Sequence, residues 1–463
     1  MVFASLPFLY VFLPAALLLY FAMPKLKAKN YMLILLSLLF YAFGEPIWVA
    51  LLVVSALTDY VNGLIIGSKP KGKRAKFALI SSLVVNLGLL AAFKYLNLLF
   101  GTLGWLIGTE MPYSSLVMPI GISFYTFQTL SYTIDVYRGK ADVQRSFTSF
   151  LLFVALFPQL IAGPILRYTE LARQLENRRS TLKGAAEGFT RFLFGLGKKV
   201  LIANFAGSTA DMILKADLND ASTLAVWIGI TCYAFQIYFD FSGYSDMALG
   251  LGKIFGFEYG ENFNYPYISR SITDFWRRWH ISLGKFFRDY VYIPLGGNRK
   301  RQLLNIFIVW FLTGLWHGAS WNFVLWGLYY GVLLAIEKFI IKPLFPKLSQ
   351  RWFMIPVTFI LTLLGWVFFY FTDLSKAFEA FRAMFGMGHA LSDATAMIYL
   401  RNNIPLLIVA IIGATPLPKG ISYVIREGSA KSLIGAALGL LLLLGATIAL
   451  VGDSYNPFLY FRF

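Results

Sequence analysis

Apolar segments of about twenty residues recur along the whole 463-residue chain, and they constrain its fold more than any other feature. The hydrocarbon core of a bilayer is ~30 Å thick, so a helix needs roughly 20 apolar residues to cross it. We count about ten to twelve segments of that length, the clearest being residues 3–23, 46–66, 77–99, 224–249 and 434–451. They lack the two-residue alternation of barrel strands. The sequence therefore predicts an all-α polytopic membrane protein, with residues 1–463 forming a single membrane domain.

The charged residues support this prediction. They make up only 14% of the chain, whereas soluble domains carry about a quarter. The net charge of +18 has two interpretations: a surface for anionic lipid or an anionic cosubstrate, or the basic cytoplasmic loops common to polytopic proteins. We favour the second and expect no nucleic-acid partner. The single cysteine, Cys232, excludes an internal disulfide and a multi-cysteine metal site, and we predict no metal centre.

One apolar stretch, residues 147–165, has basic clusters on both sides, which a simple span would not have. It is interrupted by Pro158, Gly163 and Pro164. Irregular backbone persists at membrane depth only where it is buried in protein or lines a wet cavity. We therefore predict a re-entrant segment that enters and leaves on the cytoplasmic face and lines a protein interior.

The first of three histidines, His280, follows a helix start signal. Ser271-Ile-Thr-Asp274 has the spacing of a capping box, which predicts a helix from there to about residue 290. His280 would lie on its aromatic face with Trp276, while Arg278 and Lys285 lie on the charged face. A packing histidine with one hydrogen bond also explains His280. The basic side chains suit the phosphates of an anionic donor, although a positive-inside loop explains them as well.

The second histidine, His317, lies between two apolar helices, where Gly314 and Gly318 flank it and Ser320 is placed to cap the second helix. An ionisable residue inside the membrane indicates a functional site by default, and imidazole suits general-base chemistry near neutral pH. We expect removal of His317 to cost little stability, because packing at such a break does not require a ring. His389 lies in a polar, Gly-bounded stretch typical of an external loop.

The alternative class is a polysaccharide or lipid transporter without chemistry. Asp240 and Asp246, close together in one apolar segment, would be its best candidates for a proton site. Carboxylates do not recur along successive spans, however, so a proton relay has weak support. Both are explained as well by buried polar partners.

Several long motifs occur in fixed order: Asn262-Phe-Asn-Tyr-Pro-Tyr267, Ile272-Thr-Asp-Phe-Trp-Arg-Arg-Trp-His-Ile-Ser282, Tyr292-Ile-Pro-Leu-Gly-Gly-Asn298, Gly314-Leu-Trp-His-Gly-Ala-Ser-Trp-Asn322, Asp240-Phe-Ser-Gly-Tyr-Ser-Asp246, Met118-Pro-Ile-Gly-Ile-Ser-Phe124 and Asn456-Pro-Phe-Leu-Tyr-Phe-Arg-Phe463. With them the sequence resembles the membrane-bound O-acyltransferase family over nearly its whole length. The likeness is closest to the bacterial branch, which contains alginate and peptidoglycan O-acetylation proteins and the D-alanyl transfer protein of teichoic acids.

The resemblance implies that His317 and His280 are catalytic and lie in a central tunnel between a cytoplasmic opening for an acyl thioester and an extracytoplasmic opening for the acceptor. His317 would take the proton of an acceptor hydroxyl as that hydroxyl attacks the thioester carbonyl. His280 or nearby donors would stabilise the oxyanion. The residues that we predict to bind substrate are Trp316, Asn322, Arg278, Lys285 and Asp240.

The resemblance also implies a donor, a partner and a location. We expect acetyl transfer from acetyl-CoA without a bound cofactor, and an esterase-like transferase outside the membrane as partner. We expect a multi-pass protein of the bacterial cytoplasmic membrane, surrounded by lipid. Alginate, peptidoglycan and other polymers stay open, and D-alanyl transfer to teichoic acid is an alternative. A covalent route through Cys232 also stays open.

Overall fold

The computed structural model describes residues 1–161, 163–418, 429–452 and 455–459, and every regular element in these ranges is helical. Six helices are long and apolar enough to cross a membrane: Trp48–Ser68, Lys73–Ile107, Thr223–Ile254, Trp321–Leu344, Ala394–Gly413 and Leu433–Gly452. Shorter apolar helices are Phe8–Ala22, Gln302–His317 and Met354–Tyr370. The predicted all-α, multi-pass membrane fold is confirmed. The described chain has fewer uninterrupted spans than the predicted ten to twelve, because several apolar stretches form short or broken helices.

The chain divides into two compact units, the first comprising Met1–Phe192 and Tyr244–Gly260. That they act as one membrane domain stays a prediction. The chain passes between the units three times: after Phe192 and after Gly243, each within a helix, and again after Gly260. The helices from the start of the chain to Gly197 are α1 (Leu13–Ala22), α2 (Leu26–Ala42), α3 (Trp48–Ser68), α4 (Lys73–Leu90), α5 (Leu96–Ile107), α6 (Ile122–Tyr137), α7 (Phe147–Ala155), α8 (Phe157–Leu160), α9 (Tyr168–Glu176) and α10 (Leu182–Gly197). A short π-helical turn at Phe8–Phe12 precedes α1, and another at Ala91–Tyr95 joins α4 to α5.

Helix α6 is almost entirely buried although many of its side chains are polar. One of its faces satisfies polar groups of α3 and α4. Asp59 accepts hydrogen bonds from Ser82 Oγ (2.5 Å) and Asn86 Nδ2 (2.7 Å), and Ser82 Oγ lies 3.0 Å from Thr133 Oγ1 on α6. Buried polar groups are costly unless they are hydrogen-bonded, so this network fixes how the three helices pack.

The stretch 147–165 is broken as predicted. Helix α7 has nine residues, the backbone leaves helical geometry at Leu156 (ψ 111°), and α8 has four residues. Nine helical residues span about 14 Å, less than half of a hydrocarbon core. The segment 150–161 is buried within protein. Its re-entrant path stays a prediction, and Ala162 lies outside the described residues.

The second unit comprises Leu193–Gly243 and Glu261–Phe463. The helices in the rest of the chain are α11 (Asn204–Leu214), α12 (Thr223–Ile254), α13 (Ile272–Arg278), α14 (Ile281–Phe287), α15 (Gln302–His317), α16 (Trp321–Ile336), α17 (Lys342–Leu344), α18 (Met354–Tyr370), α19 (Leu374–Met384), α20 (Ala394–Gly413) and α21 (Ser429–Gly452). The part of α12 after Gly243 belongs to the first unit. Between them lie π-helical turns at Lys198–Ala203, Arg288–Tyr292 and Glu337–Ile341, and 3-10 turns at Leu218–Asp220, Pro266–Ile268 and Leu348–Gln350.

Helices α15 and α16 form an antiparallel pair whose backbones touch at two glycines. A Cβ atom on Gly314 would lie 2.3 Å from the Phe323 carbonyl oxygen, and one on Gly327 would lie 2.2 Å from the Trp310 carbonyl oxygen. Neither distance is possible for a real side chain, so only glycine permits this approach. The close packing brings the end of α15, where His317 lies, against the first two turns of α16.

Candidate active site

His317 is the last residue of α15, and Gly318 leaves the helix in an extended conformation. Helix α16 begins three residues later, at Trp321, as the sequence predicts. Ser320 occupies the predicted N-cap position, but its side chain makes no capping hydrogen bond. A short break therefore places a buried imidazole, only 2% exposed, at the point where two apolar helices meet.

Three aromatic rings surround the His317 imidazole. The ring centroids of Trp326, Trp316 and Phe369 lie 4.9, 5.0 and 5.2 Å away, all edge-on to the histidine ring. Trp326 comes from α16 and Phe369 from α18, and both are buried. The expectation that His317 has no packing role is therefore wrong: the imidazole is part of an aromatic cluster and fills space in it.

The continuous helix predicted from Ser271 to about residue 290 is also wrong. Ser271 does cap α13, since its Oγ accepts the Asp274 N–H at 3.1 Å. The helix ends at Arg278, and His280 has a left-handed backbone with φ of 43° before α14 begins. That conformation is uncommon for a residue other than glycine.

Hydrogen bonds to a distant loop cause this break. The Arg278 carbonyl accepts the N–H of Asn264, and Ile281 donates its N–H to the carbonyl of Asn262, both at 2.9 Å. These bonds replace the helical ones that would have joined α13 to α14. His280 therefore does not share a helix face with Trp276, and its ring instead lies against Phe241, with centroids 4.7 Å apart.

The Asn262 side chain orients the His280 ring. Its Oδ1 lies 3.2 Å from His280 Nδ1 and accepts hydrogen bonds from Ser282 N (3.2 Å) and Ser282 Oγ (2.9 Å). Since this oxygen is an acceptor, Nδ1 must carry the hydrogen, and Nε2 keeps the lone pair of a neutral imidazole. Burial lowers the pKa of His280 to about 3, so the ring is neutral near pH 7.

Trp316 lies between the two histidines. Its ring centroid is 5.8 Å from that of His280 and 5.0 Å from that of His317. The structure thus brings together His317, His280 and Trp316, three residues that the sequence analysis assigns to the site. Water is largely excluded from both imidazoles, which strengthens electrostatic interactions there.

Asn322, another predicted substrate-binding residue, lies in the first turn of α16, one turn before Trp326. It is fully buried and donates from Nδ2 to the Phe368 carbonyl at 2.9 Å. Within the described residues its Oδ1 has no hydrogen-bond partner. A buried acceptor without a partner is costly. A contact between Asn322 Oδ1 and a bound group would satisfy it, and the predicted substrate-binding role of Asn322 stays a prediction.

Arg278 and Lys285 lie at the outer side of the broken segment. Arg278 is partly exposed and pairs through Nε with Asp274 Oδ1 at 3.0 Å, and it donates to the Asn264 carbonyl at 3.3 Å. Lys285 is exposed. These side chains are accessible to an anionic group, and their predicted role in donor binding stays a prediction.

The remaining candidates have protein partners. Asp240 is buried and forms an ion pair with Lys199 at 2.8 Å, and it also accepts the Leu459 N–H at 2.9 Å. In the first unit, Asp246 pairs with Arg191 at 2.8 Å. His389 lies between α19 and α20, with Nδ1 2.9 Å from the Ala221 carbonyl oxygen. Substrate binding by Asp240 stays a prediction, although its carboxylate already has these partners.

Sequence reasoning missed three residues that shape the site. Asn262 belongs to a motif that the resemblance singles out, but nothing local indicates that it orients His280. Trp326 and Phe369 lie inside apolar helices, where aromatic residues are common. Their contacts with His317 depend on tertiary packing, so no short-range signal identifies them.

Comparison with known proteins shows the family of this chain. A family model for membrane-bound O-acyltransferases matches residues 140–374. The probable alginate O-acetylase of Azotobacter vinelandii is 40% identical over the full length of both chains. The peptidoglycan O-acetyltransferase of Helicobacter pylori is 32% identical over 98% of this chain and 96% of its own. The teichoic acid D-alanyltransferase of Bacillus subtilis is 30% identical over 53% of this chain and 64% of its own. The chain therefore belongs to the membrane-bound O-acyltransferase family and is a multi-pass membrane enzyme that uses an acyl donor.

Proposed function

We propose that the protein transfers acetyl groups from acetyl-CoA, on the cytoplasmic side of a bacterial inner membrane, to an extracytoplasmic acceptor for O-acetylation of a cell-surface polysaccharide such as alginate or peptidoglycan. The observation that carries the proposal is the pair of buried imidazoles, His317 and His280, on either side of Trp316. The names and full-length similarity of the acetylating relatives support the acetyl group. D-alanyl transfer is not favoured, since relatives with that name match only about half of the chain.

In the proposed reaction His317 is the general base. It takes the proton of an acceptor hydroxyl while the hydroxyl oxygen forms a bond to the thioester carbonyl carbon. The carbon–sulfur bond then breaks, and the proton passes from His317 to the departing thiolate. Histidine suits both steps because its unperturbed pKa lies near neutrality. The aromatic rings around it hold back water, which would otherwise hydrolyse the thioester.

The role of His280 follows from its hydrogen. Because Nδ1–H is directed to Asn262 Oδ1, Nε2 of the neutral ring accepts a hydrogen bond and does not donate one. This geometry favours a role in orienting a hydroxyl over the oxyanion stabilisation expected from sequence. Donors such as the buried indole of Trp326 would then serve the oxyanion.

The proposal includes a partner. The acetyl group would pass to an esterase-like transferase outside the membrane, which modifies the polymer, as the family resemblance implies. Purified protein incubated with radiolabelled acetyl-CoA and a candidate acceptor should release free CoA and label the acceptor. Acetyl-CoA that stays intact with every acceptor, under conditions where the protein is folded, would contradict acetyl transfer and favour a transporter.

Neutralising Arg278 and Lys285 together should raise the KM for acetyl-CoA about three- to tenfold with little effect on kcat. Charge-assisted bonds to the donor phosphates would be lost. Each of these bonds contributes modestly, because both side chains are at least partly exposed to solvent. Steady-state kinetics of Arg278→Gln/Lys285→Gln measures this. The matched control is Lys342→Gln/Lys347→Gln, which removes the same charge from exposed positions. Equal KM values in the two variants would mean that Arg278 and Lys285 belong only to a positive-inside loop and do not bind the donor.

A further inference from the structure

The first unit contains buried polar atoms that the proposed reaction does not use. Gln128 on α6 is fully buried, and neither Nε2 nor Oε1 has a hydrogen-bond partner in the described part of the chain. The same holds for the Tyr125 hydroxyl, also on α6, and for Oε1 of Gln159 on α8. Native proteins rarely leave such groups unsatisfied, and each one calls for an explanation.

These groups belong to one region. Tyr125, Gln128 and Tyr132 recur at i, i+3 and i+7, so they share a face of α6. Tyr132, at one end, contacts Phe150 of α7 (4.6 Å) and Tyr168 of α9 (4.8 Å). Gln128 lies one turn before it, on the face of α6 that Tyr132 presents to α7 and α9.

The other end of the same face meets the end of α8. A Cβ atom on Gly121, which precedes α6 with φ of 79°, would lie 2.9 Å from the Leu160 carbonyl oxygen. Tyr125 follows Gly121 by one helical turn and Gln128 by two. The polar stretch of α6 is thus bracketed by contacts with residues 150 and 160, and Gln159 lies within that interval.

The backbone of the broken segment is held in place by specific contacts. Ser37 Oγ accepts the Phe157 N–H at 3.1 Å, and Gln159 Nε2 donates to the Phe153 carbonyl at 2.7 Å. A Cβ atom on Gly163 would lie 2.6 Å from Cα of Gln159, so the chain turns closely there. This fixed, interrupted backbone leaves Oε1 of Gln159 as an acceptor beside α6.

We propose that Tyr125, Gln128 and Gln159 form a second binding site, in the first unit, for an uncharged group that carries hydroxyls or amides. A primary amide offers two donors and an acceptor with two lone pairs, and a phenol adds one donor. These three side chains are themselves uncharged, which suits a neutral hydrogen-bonding group better than a phosphate or a carboxylate. The proposal rests on the proposed acetyl transfer, because the pantetheine arm of the donor and the sugar acceptor both have this chemistry.

The test is Gln128→Leu, which keeps the volume of the side chain and removes its polar atoms. The variant should fold as well as the wild type or melt slightly higher, because replacing an unsatisfied buried polar group by an apolar one is neutral or stabilising. It should nevertheless raise one KM by about tenfold, the effect of losing one or two hydrogen bonds. Tyr125→Phe removes only a hydroxyl and should raise the same KM by about threefold.

Two assay arms identify the ligand. If the donor arm binds here, the KM rises for acetyl-CoA but not for S-ethyl thioacetate, which lacks the pantetheine amides. If the acceptor binds here, the KM rises for an alginate or peptidoglycan oligosaccharide. Unchanged KM values in both arms would mean that the site holds only water, and the proposal would be wrong.

A matched control separates binding from structure. Gln144 in the same unit is buried but satisfied, since Nε2 donates to the Tyr168 hydroxyl (3.1 Å) and Oε1 accepts the Ser146 N–H (2.9 Å). Gln144→Leu should therefore lower the melting temperature and leave both KM values unchanged. If wild-type protein transfers no acetyl group at all, the proposed function fails. Calorimetric binding of CoA and of each oligosaccharide to wild type and Gln128→Leu then still tests the site, and equal affinities would overturn it.

Discussion

His317→Gln should transfer acetyl groups about 10²–10⁴-fold more slowly than the wild type, the usual effect of removing a general base. Glutamine fills most of the space of the imidazole within the cluster of Trp316, Trp326 and Phe369, but it cannot take a proton near neutral pH. The measurement is the single-turnover rate of acetyl transfer at saturating acetyl-CoA and acceptor. The KM values of the variant should change little, because the base acts mainly in the transition state.

Packing dictates the choice of glutamine. His317→Ala would leave a cavity among three buried rings and cost on the order of 2–4 kcal/mol, by analogy with other large-to-small core substitutions. Inactivity of the alanine variant would thus be ambiguous, and detergent size-exclusion profiles must accompany it. His389→Gln is the matched control, since this histidine is half-buried in a loop beside the Ala221 carbonyl, and it should keep wild-type activity. A folded His317→Gln protein with full activity would end the proposed mechanism.

The sequence was sufficient for features that depend on local pattern. Helix α16 begins and ends where its apolar run does, and the glycines around His317 mark a real break between helices. These signals are short-range: the length of an apolar run, glycines on both sides of a residue, and a polar residue just before a helix. They located His317 without reference to any other part of the chain.

Local pattern failed at His280 for an identifiable reason. The capping box starts a helix at Ser271, and the helical spacing of apolar residues continues through Trp279 and His280. The sequence there therefore favours an unbroken helix. Hydrogen bonds from residues 262–264, more than a dozen positions away, compete successfully with the helical ones. Tertiary contacts override helix propensity in such cases. The same limit explains why Trp326 and Phe369 were not assigned: their place beside His317 follows from the packing of α15, α16 and α18.

A second large effect is expected at the ion pair between Lys199 and Asp240, which is almost fully buried. Lys199 also donates to Asn204 Oδ1 at 2.8 Å and to the Pro457 carbonyl, and Asp240 accepts the Leu459 N–H. The pair thus holds the described C-terminal residues, 455–459, in the second unit; residues 460–463 of the terminal motif lie outside the described residues. Lys199→Met should lower the free energy of unfolding by about 3–5 kcal/mol, because it leaves a buried carboxylate without its cation.

A double variant shows whether charge is the cause. Lys199→Met/Asp240→Asn removes both charges, and the new amide oxygen can still accept the Leu459 N–H, so most of the lost stability should return. Thermal unfolding in detergent measures each variant. Arg191→Gln is the comparison at a more exposed pair, with Asp246, and should cost about 1 kcal/mol or less.

The double variant also tests the predicted substrate-binding role of Asp240. If it is stable and has wild-type KM values, the carboxylate serves to hold the chain and does not bind substrate. A raised KM in an equally stable protein would instead support that role. If the double variant is no more stable than Lys199→Met, the destabilisation comes from the lost contacts with Asn204 and Pro457, and the argument from buried charge is wrong.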